Sequence, residues 1–343
     1  MQQLIGLAAL AFGASWLMDD RRKKMPAIQA CFERFHDRIR LGGEDAKANL
    51  REKRHIILDA LRSHLTSDVP SFEYFHQGSY AMHTGTAPPD GDYDIDVGLI
   101  FDCASSRYSD PVALKAAVRD ALARNGRKVS IRRACVTAHY SLGGRPDYHV
   151  DLAVYVKRPD GLLDIAKGKE HSRDEHRIWE KSDPKGLTKA LCKRFQDEEL
   201  RQYRRCIRYL KRWRDLQFSS GAPVSIALTV AAYRWFKPSH HFFSGAPQDL
   251  FALRHWTGMM LDQFASATTT EGSHNRLRVV LPVEPKVDVL EKMTKSQMTR
   301  FQISLASLHE ALNRAYDQPR AEDCLYVLAE QFGTDFFCNV QQE

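Results

Sequence analysis

The stretch DYDIDVGLIF, residues 92–101, puts Asp92, Asp94 and Asp96 on alternate positions and then runs on into apolar sequence. Side chains alternate across a strand, so the three carboxylates share one face and Tyr93, Ile95, Val97 and Leu99 share the other. Three like charges on one face repel, so that face is either fully hydrated or meets positive charge. A second strong strand pattern, DYHVDLAVYV over residues 147–156, carries Asp151 inside an apolar run. An ionised Asp in such a run is costly unless it is paired or metal-bound. If the two strands are neighbours, Asp94, Asp96 and Asp151 converge. An all-oxygen donor set of this kind suits hard cations such as Mg²⁺ or Mn²⁺. Two such ions can activate an attacking hydroxyl and stabilise a leaving pyrophosphate.

Each piece also has a plainer reading. Alternating Asp residues mark solvated strand edges, Asp151 can pair with Arg145 or a nearby His, and Gly78-Ser79 in GSYAMHTGT is a turn. The order is what informs: Gly-Ser, then Asp-x-Asp on a strand, then a third Asp on a later strand. Gly78 permits close backbone approach, and Ser79 can offer its N–H and hydroxyl to a phosphate.

Around these segments the pattern predicts an α+β chain, a mixed-sheet lobe followed by an all-helical lobe. Helix is expected from Pro26 to Leu65 with a break at residues 41–43, and again over residues 110–125. SFEYF, KVSIRRACVTAHYSL and GLLDIA read as strand material. SDPKGLTKALCKRF opens a helix with Ser182 or Asp183 as cap and Pro184 in the first turn. The basic helix EELRQYRRCIRYLKRWRDLQF, the apolar helix APVSIALTVAAYRWF and helices near 247–265, 288–315 and 320–331 follow. The expected division is residues 1–24 as an apolar N-terminal segment, 25–180 as the sheet lobe and 181–343 as the helical lobe. On the basic helix, Arg201, Arg204, Arg208 and Lys211 share a face suited to a triphosphate. Arg205 and Arg212 read as ordinary solvated charge. His83, His149, His171 and His176 read as loop or surface residues, and Asp92 as a capping or supporting residue.

A net charge of +7 fits a polyphosphate or nucleic-acid partner as well as a plain basic surface. Seven scattered cysteines, without a Cys-x-x-Cys, argue against a disulfide framework and a zinc site, so a cytoplasmic protein is expected. LIGLAALAFGASWLM, residues 4–18, is short for a membrane span and lacks a signal-peptide cleavage pattern. A docked helix or a start-codon artefact is favoured over a weak anchor, and no membrane partner is expected.

The three stretches GSYAMHTGTAPPDGDYDIDVGLIF, DYHVDLAVYV and WEKSDPKGL together resemble the CD-NTase family, the bacterial relatives of cGAS in CBASS anti-phage systems, within the DNA polymerase β-like nucleotidyltransferases. The likeness runs over roughly residues 30 to 330. It implies a two-lobed enzyme that joins ATP, GTP or other NTPs into a cyclic oligonucleotide, with Asp94, Asp96 and Asp151 holding two Mg²⁺ ions (or Mn²⁺). It also implies that Lys211 and Ser225 contact the donor triphosphate alongside Gly78 and Ser79. A purine-containing cyclic dinucleotide, cGAMP-like, is the expected product, read by a downstream effector. The enzyme is expected to be a monomer that answers to an activator not evident in the sequence. One departure is Ile226, where some relatives carry a base-stacking Tyr. The rival readings are a template-independent polynucleotide or oligoadenylate-type transferase, a nucleotidylating enzyme for small molecules or proteins, and an inactive nucleotidyltransferase fold that binds nucleic acid.

Overall fold

Ile95, Val97, Leu99 and Phe101 alternate along one strand and Val150, Leu152, Val154 and Val156 along another, and both sets are buried in one apolar core. That alternation gives the sheet its dry face. The computed structural model describes residues 24–41, 44–87, 93–142 and 145–337. It separates into two units: Leu41–Lys193 with Leu281–Val287, and a second built from the described residues up to Arg40, Arg194–Val280 and the chain from Asp288 onward.

The first unit is a seven-stranded mixed sheet with helices. Strands β1 (Phe72–His76), β2 (Tyr93–Phe101), β3 (Lys128–Ile131), β4 (Val136–Leu142) and β5 (Arg145–Lys157) lie in the order β1-β2-β5-β4-β3. β2 and β5 are parallel, and the other pairs are antiparallel. β6 (Leu163–Ala166) pairs with β5 and with β7 (Trp179–Ser182). Two helices supply the opposing half of the core: α2 (Glu44–His64) through Leu50, Ile57, Leu58 and Leu61, and α4 (Pro111–Ala123) through Val112, Leu114, Val118 and Leu122. Each such side chain contributes roughly 1.5–3 kcal/mol by leaving water. α4 starts where local chemistry demands: Asp110 accepts the Val112 N–H at 2.9 Å, and Pro111 occupies the first turn. Lys115, fully buried, donates to the carbonyls of Arg132 (2.6 Å), Arg133 (3.1 Å) and Gly168 (2.6 Å), which ties the helix to two loops. A short helix α3 (Gly78–Ala81) follows β1, and α5 (Pro184–Cys192) closes this part of the chain, capped by Asp183, which accepts from Gly186 N at 2.8 Å.

The second unit contains α1 (residues 24–39), α6 (Asp197–Gln217), α7 (Ser225–Trp235), α8 (Asp249–Asp262), α9 (Lys295–Asp317) and α10 (Ala321–Phe332). Phe32, Phe35, Tyr209, Phe332 and Phe336 interlock at its centre. It is not all-helical as expected: β8 (Ala265–Thr269) and β9 (Gly272–Arg276) form a hairpin. Its strand ASATT is small, polar and largely exposed, so it carries no apolar alternation to read. Arg276 anchors it by donating to the carbonyls of Leu290 and Met293, both at 2.9 Å. α9 begins at Lys295 rather than near 288, because Thr294 and Gln297 form a reciprocal capping box.

Arg205 and Arg212 are buried rather than solvated, each 8% exposed. Arg205 grips Asp249 through two bonds, Nε to Oδ2 at 2.9 Å and Nη2 to Oδ1 at 3.1 Å, and Asp249 also accepts from Gln202 and Tyr209. Arg212 pairs with Asp335. Both acidic partners lie far along the chain, so spacing within α6 gave no hint of them. Cys31 is disulfide-bonded, a single bridge where the sequence argued against a disulfide framework, and Cys103, Cys135, Cys192, Cys206 and Cys324 are free.

Candidate active site

β2 and β5 run side by side in a register that sets Asp96 opposite Asp151 and Asp94 opposite His149. Neighbouring strands are about 4.8 Å apart, so Asp96 and Asp151 occupy adjacent rungs on one face. It is the face opposite the main core, since Ile95, Val97, Val150 and Leu152 all point the other way. Further along, the same face is closed by a small apolar cluster of Ile100, Ala153, Tyr155 and Ile165. Asp96 and Asp151 are half-buried. The side chain of Asp94, and Asp92 altogether, lie outside the described residues.

The neighbouring elements shape the two carboxylates. From β4, the fully buried Thr137 hydroxyl donates to Asp151 Oδ1 at 2.5 Å. Cys135 Sγ lies 3.7 Å from that hydroxyl, and burial, with the Asp151 charge beside it, pushes its thiol up to about 12. From the turn after β1, Gly78 lies against Asp96. Its φ is +66°, and a Cβ built there would stand 1.7 Å from Asp96 Oδ2. No side chain other than hydrogen fits that position. Gln77 N donates to the Asp96 carbonyl at 3.4 Å, and the Tyr155 hydroxyl donates to Gln77 Oε1 at 3.0 Å. Burial, reinforced by the Asp96 charge, raises the Tyr155 phenol well above its usual value, so it stays a neutral donor. Ser79 is in the first turn of α3, half-buried, with its carbonyl accepting from Thr84 N at 2.9 Å.

The structure thus brings Gly78, Asp96 and Asp151 to one sheet face, with the Asp94 backbone in register beside them. Lys211 and Ser225 belong to the helical unit: Lys211 is on α6 and 3% exposed, and Ser225 is the half-buried first residue of α7. Of the basic face on α6, Arg201 is engaged with Glu198 at 2.5 Å and Arg208 with His36 at 2.9 Å. His149 is neither loop nor surface. It is a half-buried β5 residue whose ring lies 6.2 Å from His139. Thr137, Gln77 and Tyr155 went unread in the sequence, because only the strand register shows which carboxylate each one supports. Among the described residues no group of three or more His, Cys, Asp or Glu is placed to hold a metal ion. The two described carboxylates, with Asp94 two residues from Asp96 on the same strand, nevertheless make an oxygen-only donor set that fits Mg²⁺ or Mn²⁺.

Residues 72–155, which hold all of these sheet residues, match the family of the nucleotidyltransferase domain of cyclic GMP-AMP synthase DncV-like proteins. The match places a DncV-like nucleotidyltransferase domain in the sheet unit. Solved structures share the chain's fold. CdnG of Bradyrhizobium diazoefficiens, in complex with GTP, superposes with a TM-score of 0.65 at 18% identity, over 90% of this chain and 96% of that one. CdnC of E. coli MS115-1, with ATP, gives 0.63 at 16%, over 90% and 98%. The Vibrio cholerae DncV cyclic AMP-GMP synthase gives 0.57 at 16%, over 98% and 92%. Among the described residues no helix is long and apolar enough to cross a membrane.

Proposed function

We propose that this chain is a cyclic oligonucleotide synthase that joins NTPs, ATP and GTP foremost, into a purine-containing cyclic dinucleotide of the cGAMP kind, acting as a second messenger in anti-phage defence. The observation that carries this reading is the pairing of Asp96 with Asp151 on adjacent parallel strands, with Gly78 leaving no atoms between its backbone and the Asp96 carboxylate. That two relatives were solved with GTP and with ATP supports the substrate class.

In this reading Asp94, Asp96 and Asp151 hold a pair of Mg²⁺ ions. When bound, such ions neutralise the carboxylates and supply Lewis-acid activation to phosphoryl oxygens. The remaining work belongs to the chain's own groups. Ser79, Lys211 and Ser225 bind the donor triphosphate: Lys211 as a point cation, Ser79 and Ser225 through hydroxyls and helix-start N–H groups. Asp151, its other oxygen held by Thr137, takes the proton from the acceptor 2′- or 3′-hydroxyl. The acceptor oxygen bonds to the donor α-phosphorus, the bond to the β-phosphate breaks, and pyrophosphate leaves. A second transfer of the same kind closes the ring. Positioning and electrostatics dominate such a reaction.

The test is incubation of the protein with each labelled NTP, singly and mixed, in Mg²⁺ or Mn²⁺, followed by phosphatase and thin-layer chromatography. A phosphatase-resistant product, absent with Asp94→Ala/Asp96→Ala, is the expected result. A phosphatase-sensitive ladder on a primer would instead establish polynucleotide extension.

A further inference from the structure

On the sheet face that carries the carboxylates, the side chains of β2 and β5 fall into rows. Register sets Asp96 beside Asp151, then Gly98 beside Ala153, then Ile100 beside Tyr155. The middle row is nearly empty, since glycine and alanine offer one methyl group between them. β1 makes use of that gap. Phe75 is the β1 partner of Gly98, and a Cβ built on Gly98 would stand 2.1 Å from Phe75 Cε1. The ring therefore lies directly on the strand backbone. It packs against the Tyr155 ring, centroids 5.7 Å apart, and Lys185 Nζ stands 5.2 Å from its centroid.

The same gap lets Tyr155 reach past a whole row. Its own rung is that of Ile100, yet its hydroxyl donates to Gln77 Oε1 at 3.0 Å. Gln77 belongs to the Asp96 end of the sheet, where its N–H donates to the Asp96 carbonyl at 3.4 Å. A large side chain at position 98 or 153 would stand in the path. Tyr155 is 3% exposed and packed with Ile100, Ala153 and Ile165, so close packing fixes where its ring lies. The hydroxyl is thus a fixed point, and Gln77 is the residue it fixes. Gln77 is extended and leads straight into Gly78, which turns left-handed at φ +66° against Asp96. The backbone ties of Gln77 are long: 3.4 Å to Asp96, and 3.5 Å from the Ala81 N–H to the Gln77 carbonyl. Its side-chain bond to Tyr155 is the short one.

We infer that Tyr155 and Gln77 are positioning residues, the phenol acting through the Gln77 amide to hold the Gly78–Ser79 turn against Asp96, with Ser79 in place for the donor triphosphate. This rests on the nucleotidyl-transfer reading of the face and adds to it a strut on the far side of the turn. A displacement of about 1 Å in a group that orients substrate costs on the order of 100-fold in rate.

The test makes two measurements on Tyr155→Phe, which keeps the ring and its packing. Amide hydrogen exchange over residues 78–84 reads the turn itself. It should be at least about tenfold faster in the variant, with β2 and β5 unchanged. Pyrophosphate release from mixed NTPs with Mg²⁺ reads the function. The expected kcat is about 10–100-fold lower with KM within about twofold of the parent, a split that loss of folded protein would not produce. Gln77→Leu, which keeps the volume and removes the acceptor, should match it, and the double variant should be no worse than either single one. Unchanged exchange in the turn overturns the inference, as do losses that add in the double variant. Parental kcat in Tyr155→Phe, with Asp96→Asn inactive, also overturns it and leaves the nucleotidyl-transfer reading standing. No release by the parent overturns that reading instead, and the exchange result still decides whether Tyr155 holds the turn.

Discussion

Asp96 and Asp151 show how much a single rung of a sheet can decide. In the sequence they are separate aspartates with separate explanations; in the structure they are register partners, each with its own supporting group. The supports make distinct predictions. Asp96→Asn or Asp151→Asn should lower pyrophosphate release by about a thousandfold or more without shifting the melting temperature. Gly78→Ala should be as inactive as Asp96→Asn, because its methyl group needs the space of the carboxylate and its φ is left-handed. Near-parental activity in that variant would mean that the Gly78 backbone does not define the site. Thr137→Val keeps the volume and removes the donor to Asp151. Its expected cost is about 10–100-fold in kcat with KM nearly unchanged, relieved in Thr137→Ser. A loss that serine does not relieve would reduce Thr137 to packing.

At the scale of elements, the strands carrying the site were legible because their alternation is strong: β2 and β5 fall within a residue or two of the expected spans. The cap of α5 was legible to within one residue, Ser182 or Asp183, for a local reason, a polar side chain followed by proline, and the structure gives it to Asp183. What stayed hidden is non-local. The β8–β9 hairpin has no apolar face, and Arg205 looks like any other charge on a basic helix until Asp249 arrives from α8. That pair is fully desolvated on the acidic side, with Asp249 0% exposed. Removing one partner strands the other, so Asp249→Ala should cost about 3–5 kcal/mol in urea unfolding. A cost below about 1 kcal/mol would show that Arg205 finds water or another acceptor, such as Glu198, which it already touches at 3.0 Å.

For the molecule as a whole, one histidine sets an acid limit. His36 on α1 accepts from Arg208, faces Arg205 and Arg40 as well, and has Asp37 3.6 Å from Nδ1. Burial first, then the three guanidinium charges, lowers its pKa from 6.5 to about 3. Between those values the unfolded chain binds a proton that the folded chain refuses, so stability falls as pH falls from 6.5 towards 3. His36→Gln retains an acceptor for Arg208 and should flatten that slope in urea midpoints taken from pH 4 to pH 7. An unchanged slope would place the acid sensitivity elsewhere. The domain match over residues 72–155 and the shared fold set the frame for these expectations.

In the proposed reaction this sheet face transfers nucleotidyl groups through its aspartates. The decisive measurement is pyrophosphate release from an equimolar mixture of the four NTPs with Mg²⁺, parent against Asp96→Asn at matched melting temperature. Steady release by the parent and none above background in the variant is the expected result. Equal release by both would show that the Asp96–Asp151 rung is not the site of the chemistry.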